Sequence, residues 1–206
     1  MDLASLFLAW SALALAAAMS PGPDTLLVAG HSARSGFRSG LAAVAGIVTG
    51  GLWYMALFGF GLLRILTASP MLFAIVKTGG ALYLAYLGVK LILGAAKSQA
   101  PDTRTTLDLS APFRQGLVTN ALNPKVALFY LAVLPQFVGG EPGAPLFGMM
   151  LIAIHYVLGG AWLSIVAFGA SQASGTIRHS KAMRWIEGVL GAAFIGLAGK
   201  LAVSRS

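Results

Sequence analysis

Cysteine is absent from this chain of 206 residues, so disulfides, thiolate metal sites and cysteine nucleophiles are excluded. Charge is scarce as well. Asp, Glu, Lys and Arg make up only 10% of the residues, whereas a soluble domain carries about a quarter, so no polar shell can be assembled around a globular core. Acidic residues number only six. The balance is basic, +8 at neutral pH, yet no block of five or six Lys or Arg residues occurs, and nucleic acid is not an expected partner. A basic leader is missing too. The first side-chain charge is Asp2, so the apolar stretch 3–19 is expected to stay in the protein and not to be cleaved as a signal peptide.

What the chain has in excess is apolar surface. Hydrophobic residues account for 57% of it, mean hydropathy is +0.82, and runs of about 20 apolar residues recur, which makes lipid the expected solvent. Six spans are predicted, over 3–29, 41–63, 71–93, 116–138, 146–170 and 185–203. A polar linker over 95–115, containing Pro101, Asp102, Arg104 and Asp108, separates a first unit, 1–94, from a second, 116–206, with three spans in each. Three is odd, so the second unit enters the membrane from the opposite side, the arithmetic of an inverted repeat. The expected fold is therefore all-α and membrane-embedded: six transmembrane helices in two inverted three-helix repeats, with helices 1 and 4 discontinuous. Nine Lys and Arg residues flank the odd-numbered loops, among them Arg34, Arg38, Arg104 and Arg114, against four on the other side. That bias puts the odd loops in the cytoplasm and both termini outside.

The two discontinuities carry the chemistry. Pro21-Gly22-Pro23-Asp24 interrupts the first span; two prolines remove two amide donors, and glycine permits an open turn. A plain kink near a helix end is the structural alternative. Asn123-Pro124-Lys125 interrupts the fourth span and reads as a helix start, with Asn as N-cap and Pro at the first helical position. At about 1.5 Å per residue, Asn123 is roughly 14 Å from Arg114 and Pro21 about 15 Å from His31. Both breaks then fall near the middle of a hydrocarbon layer about 30 Å thick. Broken backbone at that depth persists where it lines a protein-enclosed cavity. Asp24 and Lys125 adjoin the breaks, and an ionisable side chain at mid-membrane is by default a functional one. Capping by Asp24 and snorkelling by Lys125 are the plainer readings. Half-helix N-termini suit a carboxylate, and Asp24 suits an ammonium or a transported proton, so a free amino acid is the expected solute. Two roles stay open for Lys125: holding the carboxylate, or neutralising Asp24 while the site is empty.

Other residues say less. His155 reads equally as a packing hydrogen bond or a relay, and Tyr83, Tyr86 and Gln136 as packing or pathway lining. Gly46, Gly50 and Gly196 read as close helix contacts, and Trp10, Trp53, Trp162 and Trp185 partly fit interfacial belts. The small-residue faces leave room for a homodimer.

These motifs together resemble the LysE/RhtB family of bacterial amino-acid exporters. The matching stretches are Ser20-Pro21-Gly22-Pro23, the run from Lys77 to Gly88, and Leu122-Asn123-Pro124-Lys125 followed by Phe129 and Leu134-Pro135-Gln136-Phe137. The resemblance implies export of amino acids or close derivatives across the inner membrane, energised by the proton gradient, with Pro21, Gly22, Pro23, Asn123, Pro124 and Lys125 as its motif residues. No enzyme activity and no cofactor are expected. Export of a metal cation is the rival within the wider superfamily, but His31, His155 and His179 are scattered and form a poor ligand set. An intramembrane enzyme would need a nucleophile beside a base. On its own span His155 has only Ser164 and Ser171, nine and sixteen residues away, out of bonding reach along one helix. A non-transporting scaffold subunit is the third alternative, and it would tolerate loss of the charges at Asp24 and Lys125.

Overall fold

The computed structural model describes residues 2–61, 70–96, 108–138, 143–177 and 181–203. Most of the expected linker, residues 97–107 with Pro101, Asp102 and Arg104, lies outside the described residues, as do Arg64, Arg178, His179 and Arg205.

The described chain is all-helical. Helix α1, Leu3–Met19, begins where the Asp2 carboxylate accepts the Ser5 amide at 2.7 Å, a side-chain N-cap. It ends at Met19, two residues before Pro21, and α2, Pro23–Ser35, restarts with proline in its first turn. Gly36 then turns the chain at φ +87° directly into α3, Phe37–Gly59, a left-handed conformation that favours glycine. Helix α4 is Pro70–Ala96, α5 Ser110–Ala121 and α6 Pro124–Val133, prolonged by a 3₁₀ turn over Leu134–Gln136. Helices α7, Ala144–Ile177, and α8, Lys181–Val203, complete the chain.

Helix α5 starts six residues before the apolar run that predicted its span. The Asp108 carboxylate accepts from both the Ser110 amide (2.9 Å) and hydroxyl (2.5 Å) and so caps a polar first turn that hydropathy does not register. Those hydrogen bonds, the hydroxyl's first, hold the Asp108 carboxyl below its ordinary pKa.

Among the described residues, α3 and Ala144–Gln172 of α7 are long and apolar enough to cross a membrane, and the count rises to four if each bent pair is one span. The protein is thus multi-pass. The pairs are the predicted discontinuous helices: α1 and α2 meet at 57°, and α5 bends by 44° into Lys125–Gln136. Helices α4 and α8 stand where the third and sixth spans were expected, though their described apolar stretches are the shorter Ala81–Lys90 and Gly188–Gly199.

Small residues set how closely the helices approach, as is usual where lipid supplies no hydrophobic drive. Where α3 crosses α5, a Cβ on Gly46 would collide with the Phe113 carbonyl, and a Cβ on Gly116 with that of Ala43. The α4–α8 crossing is reciprocal: a Cβ on Gly88 would lie 2.7 Å from the Gly191 carbonyl, and one on Gly191 2.8 Å from that of Gly88. Gly196, which the sequence suggested as a contact, faces open space. Trp10 is likewise no belt residue. It is fully buried, and its indole donates to the Leu151 carbonyl at 2.8 Å, pinning α1 to α7, while Trp53 and Trp185 are exposed.

Candidate functional site

Each break leaves backbone carbonyls without their helical donors, and another part of the chain supplies a replacement. In α1 the Ala17 carbonyl would accept from residue 21 and the Met19 carbonyl from residue 23, but both of those are proline. The Lys125 ammonium reaches across from the second break and donates to the carbonyls of Ala17 (2.9 Å) and Ser20 (2.6 Å). A cation at a helix C-terminus is also favoured by the helix dipole. At the second break the Asn120 carbonyl would accept from residue 124, again proline, and it takes the Asn123 amide instead, at 2.9 Å. The Tyr54 hydroxyl, buried on α3, lies 3.1 Å from the Asn120 carbonyl and 3.0 Å from that of Asn123. Asn123 caps α6 as predicted, its side-chain oxygen accepting the Lys125 amide at 3.1 Å.

The acid of the first break is held by the second. Asp24, in the first turn of α2, receives the side-chain amides of Asn120 (3.1 Å) and Asn123 (3.3 Å), both on Oδ2. The other oxygen, Oδ1, is buried without a partner among the described residues. Asn120 is oriented in turn by the Tyr156 hydroxyl, which donates to its Oδ1 at 2.8 Å. Space for this pair comes from consecutive glycines on α3: a Cβ on Gly50 would lie 2.8 Å from Asn120 Oδ1, and one on Gly51 would collide with the Tyr156 ring. Asp24 and Lys125 therefore do not pair directly. Each is engaged by groups at the opposite break, because an unpaired buried carbonyl or carboxylate is costly.

A cavity of about 60 Å³ lies between the breaks, several times the roughly 10–15 Å³ that one water needs. Its polar wall includes Asp24, Asn120, Asn123, Lys125, His155 and Tyr156, and its apolar wall Ala18, Phe129, Gly159 and Leu163. Of the predicted residues, Gly22, Asp24, Asn123 and Lys125 line it, whereas Pro21, Pro23 and Pro124 shape the breaks. Tyr83, Tyr86 and Gln136 do not line it; Gln136 donates back to the Ala132 carbonyl of its own helix at 2.7 Å. Asn120, Tyr54, Tyr130 and Tyr156 were not singled out from the sequence. Asn120 carries a signal that could have found it, being an amide one turn before Asn123 inside an apolar run; the tyrosines read as packing. Among the described residues no three His, Asp or Glu side chains gather as a metal site would require.

Broken helices that face one another around a cavity with an acid and a base in its wall, in an all-helical multi-pass protein, are a construction met in membrane transporters. The LysE type translocator family matches residues 15–205, and the chain belongs to that family, whose members are transporters and not enzymes. An uncharacterised membrane protein of Pseudomonas aeruginosa is 33% identical over 193 residues, covering 89% of this chain and 88% of that one. The threonine efflux protein of Escherichia coli K12 is 30% identical over 205 residues, 97% of this chain and 98% of its own. The leucine efflux protein of Salmonella choleraesuis is 30% identical over 191 residues, 90% and 89% of the two chains. No solved structure matches significantly.

Proposed function

We propose that the protein exports amino acids or close derivatives from the cytoplasm across the bacterial inner membrane by proton antiport, with its site at the two helix breaks. One observation carries the reading: both breaks open onto a single cavity lined by one acid and one base, Asp24 and Lys125. A free amino acid offers the complementary ammonium and carboxylate. The first turns of α2 and α6 border the cavity, and helix N-termini favour a carboxylate. Relatives that efflux threonine and leucine support an amino acid as cargo.

Asp24 is the group assigned to coupling. Its Oδ2 is occupied by two amides while Oδ1 has no partner among the described residues, and a buried carboxylate oxygen left unpaired calls for a proton or a cation. In the cycle, a proton arriving from outside takes Oδ1 and releases the solute's ammonium outward. Loss of that proton to the cytoplasm readies the carboxylate for the next solute. A second cavity, about 80 Å³ and lined by His31, Arg34, Lys90 and Gln115, lies about 10 Å further along α2. It sits towards the basic loops assigned to the cytoplasm and suits an inner vestibule for carboxylates.

The topology adopted is six crossings in two inverted units, with both termini outside. Its support is that α3 packs on α7 and α4 on α8, like against like, as equivalent helices do beside a pseudo-two-fold axis. The test is efflux from cells fed a panel of dipeptides. Expression should speed the appearance of at least one amino acid outside; equal release of every amino acid from expressing and control cells would end the proposal.

A further inference from the structure

Tyr130 is fully buried, and its hydroxyl meets Nδ1 of His155 at 2.8 Å. A phenol sealed from water keeps its proton in a hydrogen bond. With the Tyr156 hydroxyl donating to Asn120, the geometry gives the Tyr130 proton Nδ1 of His155, at 2.8 Å, as its acceptor. A neutral imidazole that accepts on Nδ1 carries its own proton on Nε2. Among the described residues no partner meets that N–H, and His155 lines the central cavity. The ring's Cδ2, the carbon bonded to Nε2, is 3.9 Å from where a Cβ on Gly159 would stand, and Gly159 lines the same cavity. The donor edge of the imidazole therefore borders the gap left by the missing side chain.

The geometry points to a side-chain subsite over Gly159, in which His155 Nε2–H donates to an oxygen on the solute's side chain and so favours a hydroxyl-bearing aliphatic amino acid over its methyl isostere. The inference rests on the central cavity being the solute site. Ala18, Phe129 and Leu163 complete the wall there and accommodate aliphatic carbon. With Asp24 and Lys125 answering the solute's own ammonium and carboxylate, a charged side chain would find no counter-ion. His155 is the specificity residue; Tyr130 is a positioning residue that acts through it by fixing the tautomer.

Threonine and valine have the same shape and differ by a hydroxyl in place of a methyl, so their export ratio from reconstituted vesicles reads the subsite. Wild type should favour threonine by roughly three- to tenfold, the worth of one hydrogen bond. His155→Leu should bring the ratio to about one, and Tyr130→Phe, which lets the ring proton sit on either nitrogen, should lower it part of the way. His155→Gln returns an amide donor near the Nε2 position and should keep most of the preference. Gly159→Ala guards against misfolding, because its Cβ would meet Ala18 Cβ at 3.7 Å and His155 Cδ2 at 3.9 Å, both ordinary contacts. By covering the donor edge it should also reduce the ratio. A wild-type ratio near one, or the wild-type ratio retained in His155→Leu or Gly159→Ala, overturns the subsite. Failure of the underlying site reads differently: Asp24→Asn would then export both solutes as wild type does.

Discussion

The Lys125 ammonium donates to the Ala17 carbonyl at 2.9 Å, and Ala17 is the residue whose helical partner would have been the amide of Pro21. The base of one break thus repairs the other. Asn120 and Asn123 return the exchange by holding Asp24, so the two breaks are coupled in both directions, and a movement of either must disturb the hydrogen bonds of both.

If Lys125 is a structural donor, removing it has a cost that appears without any solute. Lys125→Met keeps most of the stem's bulk and leaves the Ala17 and Ser20 carbonyls unpaired. The expected loss is about 1–3 kcal/mol, seen as a lower thermal unfolding midpoint in detergent together with lost export. A midpoint equal to wild type would assign Lys125 to the solute alone.

Tyr54→Phe makes the same point at the second break. The ring space stays filled, but the carbonyls of Asn120 and Asn123 lose the hydroxyl that faces them. Backbone amides still reach both carbonyls, so the loss is that of one hydrogen bond, about 0.5–1.5 kcal/mol, with slower export, and unfolding midpoints compared in one detergent check it.

The helix crossings predict a contrast between two glycines of α8. Gly191→Val drives a side chain into the Gly88 carbonyl, whereas Gly196→Val points into open space. Overpacking costs about 1–3 kcal/mol or more, so Gly191→Val should reduce the yield of folded protein in the membrane and Gly196→Val should leave it unchanged. Quantifying folded monomer by size exclusion separates the two.

Much of this was legible in the sequence, and the parts that were not have physical reasons. Proline announces a break wherever it falls, so Pro21, Pro23 and Pro124 placed both discontinuities, and the N-cap at Asn123 followed from the dipeptide itself. Hydropathy located the helices but not their polar ends, which is why α5 begins at Ser110, where Asp108 caps it. The partners at the breaks were hidden because they come from elsewhere in the chain. Tyr54 lies 66 residues from Asn120 and Lys125 108 residues from Ala17, separations that no local pattern encodes. Glycines were half legible: Gly46 and Gly50 lie at contacts, but which glycine of α8 faces α4 depends on the rotation of that helix, and it is Gly191 and not Gly196.

The most direct test is proton-driven exchange in vesicles reconstituted with wild type or Asp24→Asn. An imposed proton gradient should drive amino-acid accumulation against its own gradient with wild type and none with Asp24→Asn, because an amide does not take up a proton near neutral pH. Gradient-driven accumulation by Asp24→Asn at the wild-type rate would contradict the account.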